Sequence, residues 1–270
     1  MAVSLTTLVD AMELLAPPSL AEPWDNVGLL LPGREGLQVT RAVVTIDLTD
    51  AVIDEALDQA ADAIVSYHPI LFDGKKRLRR DVASERIVLR CVERGLAVYS
   101  PHTALDSAPD GLNDWLARAA GEGTTRPLVP HPLRPEAGQG RHLDVSAPDN
   151  LENVVARARK HLGLGSLRVA SAERHLRGAP IAAAAVAAGA GGPLLSKARG
   201  IDLFITGEMR HHDVLAAVEA GISVILAEHT GSERGYLPTL ADRLQTTLQG
   251  TVEVVVSKRD RDPVLTVPAG

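Results

Sequence analysis

Short runs of β-branched residues alternate with helical segments along most of this 270-residue chain. Strands are predicted over residues 42–46, 63–66, 96–100, 181–187, 202–206, 223–227 and 252–257. Helices are predicted over residues 5–15, 48–61, 85–94, 151–162, 212–220 and 232–248, with a further helix opening near residue 110. A chain that alternates strand and helix in this way predicts an α/β fold with mostly parallel sheets.

The stretch from residue 121 to residue 140 interrupts this pattern with Thr, Gly, Pro and His residues. Because glycine and proline punctuate regular structure, we expect a boundary here. The prediction is an N-terminal α/β lobe over residues 1–126 and a C-terminal α/β lobe over residues 127–270. The second half repeats the strand–helix pattern of the first, so the two lobes are expected to be similar. The last strand could still pack back on the first lobe.

The composition excludes several classes of function. A formal net charge of −6 and an aromatic content of 3% argue against a nucleic-acid-binding protein. Cys91 is the single cysteine, so neither an intrachain disulfide nor a zinc site built on several cysteines can form. No segment approaches the roughly 20 apolar residues that a membrane span needs. We therefore expect a cytoplasmic protein that binds neither nucleic acid nor membranes.

Four side chains of the kind that bind metals follow predicted strand ends: His68, Asp106, His229 and Glu233. The carboxyl ends of parallel strands face one crevice in α/β folds, so we expect these side chains to meet there, between the lobes. Two imidazoles and two carboxylates suit zinc, iron or manganese. Each residue also has a structural alternative. His68 could be a hydrogen-bonded strand-end residue, Asp106 a helix N-cap, and Glu233 a favourable charge at a helix N-terminus.

Further polar residues lie near these strand ends. His102 follows the strand over 96–100 and is a candidate proton shuttle, and Tyr67 directly precedes His68. The candidate contacts to a substrate are Lys75, Arg77, Gly191, Gly192, His211 and His212. The glycines follow a strand and could cradle a phosphate through their backbone N–H groups, or could simply form a turn. The cations and the adjacent histidines could equally belong to solvated surface.

Several of these segments resemble a known family. The motifs are, in order, Pro23-Trp24-Asp25-Asn26-Val27-Gly28-Leu29, Ser66-Tyr67-His68-Pro69 with Phe72, Pro101-His102-Thr103-Ala104-Leu105-Asp106, Gly111-Leu112-Asn113, Thr206-Gly207-Glu208 with His211-His212-Asp213, and Glu228-His229 with Glu233-Arg234-Gly235. Together they resemble the dinuclear metal-centre family of Nif-three-like proteins, also described as GTP cyclohydrolase 1 type 2 homologues. The similarity covers most of the chain.

The resemblance implies a two-lobed α/β unit that assembles into a toroidal homohexamer, a trimer of dimers, with paired metals facing an inner cavity. The family's metal positions correspond to His68, Asp106, His229 and Glu233. Many bacterial members carry His-His-Pro where this chain has Tyr67-His68-Pro69. The missing imidazole implies that one of two divalent ions is held more weakly, although tyrosine also occurs there in another branch of the family.

These observations lead to an expected function and two alternatives. The expectation is a metal-dependent hydrolase resembling GTP cyclohydrolase 1 type 2, which activates water against a nucleotide-like substrate and releases formate from GTP. His102 and Tyr67 are its candidate catalytic residues. A phosphoesterase acting on small phosphorylated molecules would use the same kind of two-metal site. A non-catalytic metal-binding regulator or adaptor would need the ligands but not the acid–base residues.

Overall fold

The structure of the protein is a computed structural model that describes residues 2–264. The chain forms two compact units. Of the described residues, the N-terminal unit comprises 2–105 together with Leu237–Arg261, and the C-terminal unit comprises Asp106–Tyr236 and residues 262–264. The predicted division after residue 126 thus differs from the observed one, which falls between Leu105 and Asp106.

The secondary structure of the described residues follows the α/β pattern. The strands are β1 (Val3–Ser4), β2 (Gly28–Pro32), β3 (Gln38–Val39), β4 (Arg41–Thr45), β5 (Ala63–Ser66), β6 (Ala97–Ser100), β7 (Gly123–His131), β8 (Arg134–Asp149), β9 (Arg168–Ala170), β10 (Ile181–Ala187), β11 (Leu203–Thr206), β12 (Ser223–Leu226) and β13 (Glu253–Val256). The helices are α1 (Leu5–Leu15), α2 (Asp50–Asp58), α3 (Ala83–Arg94), α4 (His102–Ser107), α5 (Leu112–Ala117), α6 (Leu151–Leu162), α7 (Glu173–Leu176), α8 (His211–Glu219) and α9 (Leu237–Thr247). None of these helices has both the length and the apolar character needed to cross a membrane.

Several helix ends are set by capping residues. The hydroxyl of Ser4 accepts a hydrogen bond from the backbone N–H of Thr7 at the start of α1, and Asn150 caps α6 in the same way. Helices α3 and α6 end at Gly95 and Gly163, whose φ angles of 66° and 68° are left-handed. Glycine adopts this conformation without the steric cost of a Cβ atom, so these residues end the helices.

The N-terminal unit is built on a five-stranded sheet in the order β13-β4-β5-β6-β2. All neighbouring pairs are parallel except β2 and β6. Val43, Ile64 and Val98 of the central strands pack in one core cluster with Ile53 of α2 and Val88 of α3. Strand β13, which follows the C-terminal unit in the chain, pairs in parallel with β4, so the last predicted strand does pack back on the N-terminal unit.

The C-terminal unit contains a mixed six-stranded sheet in the order β7-β8-β10-β11-β12-β9. Strands β10, β11 and β12 are parallel, whereas β7, β8 and β9 join them by antiparallel pairing. The predicted α/β class is therefore confirmed, and parallel strands form the centre of this sheet with antiparallel strands at its margins.

The Pro-rich stretch predicted as a lobe boundary forms a β-hairpin instead. Strands β7 and β8 cover residues 123–149 and pair from Gly123 to His131. Pro127 and Pro130 lie on β7, which is the edge strand of the sheet. An edge strand tolerates proline because one of its two sides makes no ladder hydrogen bonds. The prolines therefore marked a sheet edge and not a linker.

The predicted helix over residues 232–248 begins later than expected. Residues Thr230–Ser232 and Arg234–Tyr236 form two short 3₁₀ turns, and α9 begins at Leu237. Pro238 is the second residue of α9, where a missing backbone N–H costs nothing because the first turn has no intrahelical acceptor. Proline thus favours a helix start at this point.

A buried arginine ties the hairpin to the start of the C-terminal unit. Arg141 on β8 is 1% exposed, and its Nε donates to Asp114 Oδ1 at 2.9 Å. Its two Nη groups donate to backbone carbonyl oxygens of Gly138, Gly140, Ser107 and Ala108. The guanidinium is thus fully hydrogen-bonded inside the unit.

We expect Arg141→Met to lower the free energy of unfolding by about 3–5 kcal/mol, because it leaves a carboxylate and several carbonyl groups without their donor. Arg126→Met on the neighbouring strand is the control, since Arg126 pairs with Asp144 at the surface and should cost only about 0–1 kcal/mol. Urea unfolding of both variants measures the difference. Equal losses would contradict the structural role given to Arg141.

A second buried polar group makes stability depend on pH. His175 in α7 is 4% exposed, and its Nδ1 lies 2.7 Å from Ser223 Oγ. That hydroxyl also accepts the backbone N–H of Ala172. Burial, helped by the charge of Arg174, lowers the pKa of His175 below its ordinary value of 6.5.

Because the pKa of His175 is lower in the folded state, the unfolded chain binds more protons just below pH 6.5. The stability associated with neutral His175 is therefore complete above this pH and is lost as the pH falls through the folded-state pKa. We expect His175→Asn to reduce this pH dependence of the unfolding free energy, measured by urea unfolding at a series of pH values. A slope that is the same in the wild type and in His175→Asn would contradict this assignment.

Candidate metal centre

His68 is positioned by the parallel pairing of β4 and β5. The pairing continues past the strand ends, since the backbone N–H of His68 donates to the carbonyl oxygen of Ile46 at 3.1 Å. The hydroxyl of Ser66 donates to the carbonyl oxygen of His68. The ring is held by Asp47, whose Oδ1 lies 2.8 Å from Nδ1. With Nδ1 on a carboxylate, Nε2 is the nitrogen with which this ring would coordinate a metal.

His102 is held in the same manner after β6. Its Nδ1 lies 2.8 Å from Oδ1 of Asp25, whose side chain is fully buried. Asp25 also accepts hydrogen bonds from the backbone N–H groups of Asn26 and Thr103 and from the Thr103 hydroxyl. Burial opposes ionisation of Asp25, but the hydrogen bonds with His102 and Thr103 outweigh it and hold the pKa of Asp25 below its ordinary value.

Three predicted residues of the N-terminal unit lie against one another. The ring centres of His68 and His102 are 5.5 Å apart, and that of Tyr67 lies 5.0 Å from His68 and 5.4 Å from His102. Tyr67 is buried, so its ring forms a wall behind both imidazoles. We call these three residues, with Asp47 and Asp25, the N-terminal cluster.

His229 and Glu233 meet in the C-terminal unit, after β12. The Nδ1 of His229 lies 3.2 Å from Glu208 Oε1, and its Nε2 lies 3.5 Å from Glu233 Oε1. Two ligand atoms placed about 2.0–2.1 Å from one tetrahedral zinc are about 3.3 Å apart, so the observed spacing suits a shared ion. His229 precedes one 3₁₀ turn and Glu233 follows it, in place of the predicted start of an α-helix.

A glycine lies directly against these two side chains. A Cβ atom on Gly189 would stand 2.7 Å from Glu233 Oε1 and 3.2 Å from His229 Nε2. Its φ of +57° is left-handed, and its N–H donates to Ser232 Oγ at 2.9 Å. Any side chain here would displace the ligand atoms. We call His229, Glu233, Glu208 and Gly189 the C-terminal cluster.

The backbone is left-handed at two non-glycine residues beside these clusters. His102 has a φ of 24° and Glu228, which precedes His229, has a φ of 60°. Such conformations cost about 1–3 kcal/mol outside glycine and are concentrated at functional sites. They support the functional interpretation of both strand ends.

The other predicted residues are placed as follows. Asp106 is half-buried in α4, at the start of the C-terminal unit, and its backbone carbonyl oxygen accepts a hydrogen bond from Asn113 Nδ2. Its role as a metal ligand stays a prediction.

Lys75 lines a cavity of the N-terminal unit together with Asp25, and Arg77 lies exposed on the same loop. His211 is exposed at the start of α8, next to the exposed His212.

The glycine turn after β10 has a packing reason. Gly191 and Gly192 are buried, and a Cβ atom on Gly191 would stand 2.3 Å from the Cβ of Ala187. The turn leads into a short 3₁₀ helix, Gly192–Lys197, and not into an α-helix with aligned N–H groups. Phosphate binding by these glycines therefore stays a prediction without support from the helix geometry.

Three carboxylates and one glycine that the strand-end pattern did not single out support the candidate residues. Asp47, Asp25 and Glu208 each hold a histidine by its Nδ1 atom, and Gly189 leaves room for two ligand atoms. A signal for two of the acids was present, because Asp47 and Glu208 follow the ends of β4 and β11 just as His68 follows β5. The rule that selected the histidines applies equally to them.

The fold and the two clusters define an α/β protein with histidine–carboxylate pairs at its strand ends. The chain belongs to the Duf34/NIF3 (NGG1p interacting factor 3) family, whose model matches residues 3–263. NIF3-like protein 1 of Drosophila melanogaster is 39% identical over 264 residues, which are 97% of this chain and 89% of that protein. Protein NIF3 homolog of Schizosaccharomyces pombe is 38% identical over 275 residues, covering 96% of this chain and 97% of that protein.

Solved structures share the fold at lower identity. The crystal structure of a Bacillus cereus protein related to NIF3 matches with a TM-score of 0.87 and 19% identity, covering 98% of this chain and 99% of that one. The family resemblance and the fold class inferred from the sequence motifs are thereby confirmed.

Gly189→Ala tests the C-terminal cluster. We expect this variant to lose zinc affinity by at least about tenfold, because its methyl group would collide with Glu233 and His229. Gly200→Ala is a matched control, since Gly200 is also left-handed, with a φ of +64°, but a methyl group there would meet no atom within 4 Å. Both variants carry the same backbone cost of about 1–2 kcal/mol. Competition with a chromophoric chelator measures the affinity, and equal affinities would argue against a metal at His229 and Glu233.

Proposed function

We propose that this protein is a metal-dependent hydrolase that acts on a nucleotide-like substrate. In this proposal His68, Asp106, His229 and Glu233 hold two divalent metal ions. The observation that carries it is the arrangement of His229, whose Nδ1 is held by Glu208 while its Nε2 faces the carboxylate of Glu233. Membership of the Duf34/NIF3 family and the dinuclear centre implied by the motif resemblance support the same assignment.

The residues present fit such a centre. Histidine ligands of metals ordinarily give their second ring nitrogen to a carboxylate, which is the arrangement of both His68 and His229. Glu233 is 2% exposed, and a carboxylate this deeply buried is stabilised by a neighbouring cation. Zinc, iron and manganese all accept imidazole and carboxylate ligands. Tyr67 supplies no imidazole, so we propose that one of the two ions is held more weakly.

Bound metal would supply a water molecule of lowered pKa and would polarise the substrate. The chain itself supplies the proton transfer and the orientation. Asp25 holds Nδ1 of His102, which leaves Nε2 as the nitrogen that would accept a proton and return it to the leaving group. Tyr67 packs behind the two imidazoles and keeps solvent from that side. Lys75 and Arg77 would offset the charge of substrate phosphates.

The favoured reaction is the one implied by the GTP cyclohydrolase 1 type 2 resemblance, in which the imidazole ring of the purine is opened and formate is released. The His102–Asp25 pair favours an enzyme over a passive metal binder, because a metal-binding adaptor has no need for an oriented proton acceptor. We further propose a homohexameric assembly, which also rests on the resemblance. Light scattering in solution tests the assembly.

A protein-binding adaptor is the second candidate. The description of the matched family, NGG1p interacting factor 3, favours it because it refers to an interaction and not to a reaction. The metal centre would then stabilise a binding surface. This alternative predicts tight metal binding without turnover.

We expect metal-replete protein to release formate from GTP and to lose this activity with a chelator. His229→Ala should lose at least one metal per chain and about 100-fold or more in rate, and Asp47→Asn should weaken metal binding by about 10–100-fold. Asp10→Asn, which changes an exposed carboxylate of α1, should behave as the wild type. Elemental analysis counts the metal, and a formate assay measures turnover.

Each alternative has its own outcome in this experiment. Phosphate release from small phosphoesters without formate would identify a phosphoesterase. Full metal loading with no turnover of GTP or phosphoesters would favour the adaptor.

A further inference from the structure

Two large aromatic side chains are exposed together in the N-terminal unit. Trp24 is 59% exposed and Phe72 is 49% exposed. These residue types are scarce, since the whole chain contains only two tryptophans and two phenylalanines. Their ring centres are 5.9 Å apart with an angle of 51° between the planes. Aromatic residues normally bury most of their area, so a chain this poor in aromatics would not expose a pair of them without use.

One member of the pair, Phe72, lines a cavity of the same unit. The cavity has a volume of about 650 Å³, which is within the range of small-molecule sites. Apolar side chains form part of its lining, including those of Phe72, Leu78 and Val92. Asn26 and Lys75 add polar groups. An apolar wall with a few polar groups is the ordinary composition of a ligand pocket.

The aromatic pair also lies close to the candidate proton acceptor, His102. Asp25 lines the cavity and holds His102 by a 2.8 Å hydrogen bond. The ring centre of Trp24 is 6.1 Å from that of His102, in an edge-to-face arrangement. A molecule stacked on Trp24 would therefore lie next to the imidazole that the proposed function requires.

Charge on the neighbouring loop favours an anionic ligand. Arg79 and Arg80 are paired with Glu85 and Glu93. Three further cations follow Phe72 closely in the chain: Lys75, Lys76 and Arg77. They are exposed and make no ion pair with any residue between 2 and 264. These three cations outnumber the two acidic residues of the same loop, Asp73 and Asp81. Beside an aromatic pair they suit a ligand that is planar at one end and carries phosphates at the other.

We infer that Trp24 and Phe72 form a stacking platform for the planar base of a nucleotide, with Lys75 and Arg77 contacting its phosphates. This inference rests on the proposed function and identifies the part of the site that recognises the base. A cavity of this size beside Phe72 fits a small ligand better than a protein partner, whose interface would be broader and flatter. Binding of the base does not require metal, so it can be tested separately from catalysis.

Tryptophan fluorescence gives a direct test. The chain has Trp24 and a second tryptophan, Trp115, which is 7% exposed in the other unit. Metal-free Trp115→Phe protein is titrated with GTP, guanosine and inorganic tripolyphosphate. We expect GTP to quench the remaining fluorescence, guanosine to quench it with weaker affinity, and tripolyphosphate to leave it unchanged.

Substitutions in the otherwise natural protein provide a second measurement. We expect Trp24→Leu and Phe72→Leu each to weaken GTP binding about tenfold in equilibrium dialysis, since both lose a stacking surface. Phe72→Tyr keeps an aromatic ring and should bind as the wild type does. Leu14→Ala is the control for loss of an exposed apolar side chain, because Leu14 is 74% exposed on α1.

Several results would overturn the inference. GTP affinity that is unchanged in both leucine variants removes the stacking platform. Tripolyphosphate that binds as tightly as GTP shows an anion site without recognition of the base. A loss of self-association in Trp24→Leu, with no change in GTP affinity, assigns the aromatic pair to an interface between copies of the chain.

These outcomes are distinct from failure of the proposed function. Quenching by GTP without formate release would contradict the hydrolase and leave the platform in place. Formate release with an unchanged KM in Trp24→Leu would retain the hydrolase and reject the platform.

Discussion

A hydrogen bond between Nδ1 of a strand-end histidine and a carboxylate recurs in this protein, and the candidate chemistry depends on it. It joins His68 to Asp47, His102 to Asp25 and His229 to Glu208. A free imidazole rotates and exchanges tautomers, so it presents no fixed donor atom. Bonding one nitrogen to a carboxylate sets both the rotation and the tautomer, and directs Nε2 toward the place where metal or substrate would bind.

Sheet register creates these pairs. In the parallel pairing of β4 and β5, Thr45 is level with Ser66, and Asp47 and His68 each lie two residues further along. In the pairing of β11 and β12, Thr206 is level with Leu226, which brings Glu208 near His229. Because neighbouring parallel strands end at the same edge, one structural rule supplies an oriented imidazole in each unit. A shift of register by one residue would turn the side chains to opposite faces and separate the pairs.

Close backbone packing is the second requirement of the C-terminal cluster. Gly189 follows β10, and His229 follows β12; these two strands flank β11 on opposite sides. Because Gly189 has no side chain, Glu233 and His229 can occupy the space beside it. The N-terminal cluster depends instead on a buried carboxylate and an aromatic ring. There a fully buried Asp25 is kept ionised by its hydrogen-bond donors, and the aromatic ring of Tyr67 shields the imidazoles. The two clusters thus hold their candidate residues by different local supports.

The α/β class and the position of most central strands could be predicted from the amino-acid sequence, because period and β-branching are local signals. The predicted bounds of β5 and β10 coincide with the observed ones for the same reason. Strand-end polarity also singled out His229 and Glu233, whose side chains do lie together. The sequence allowed for the last strand to pack back on the first lobe, and only the fold decided that β13 pairs with β4. Two further features emerged only from the folded chain: the edge hairpin over residues 123–149 and the acid that orients each histidine. They depend on pairing between segments distant in the chain, and no local pattern specifies which strand will lie beside which.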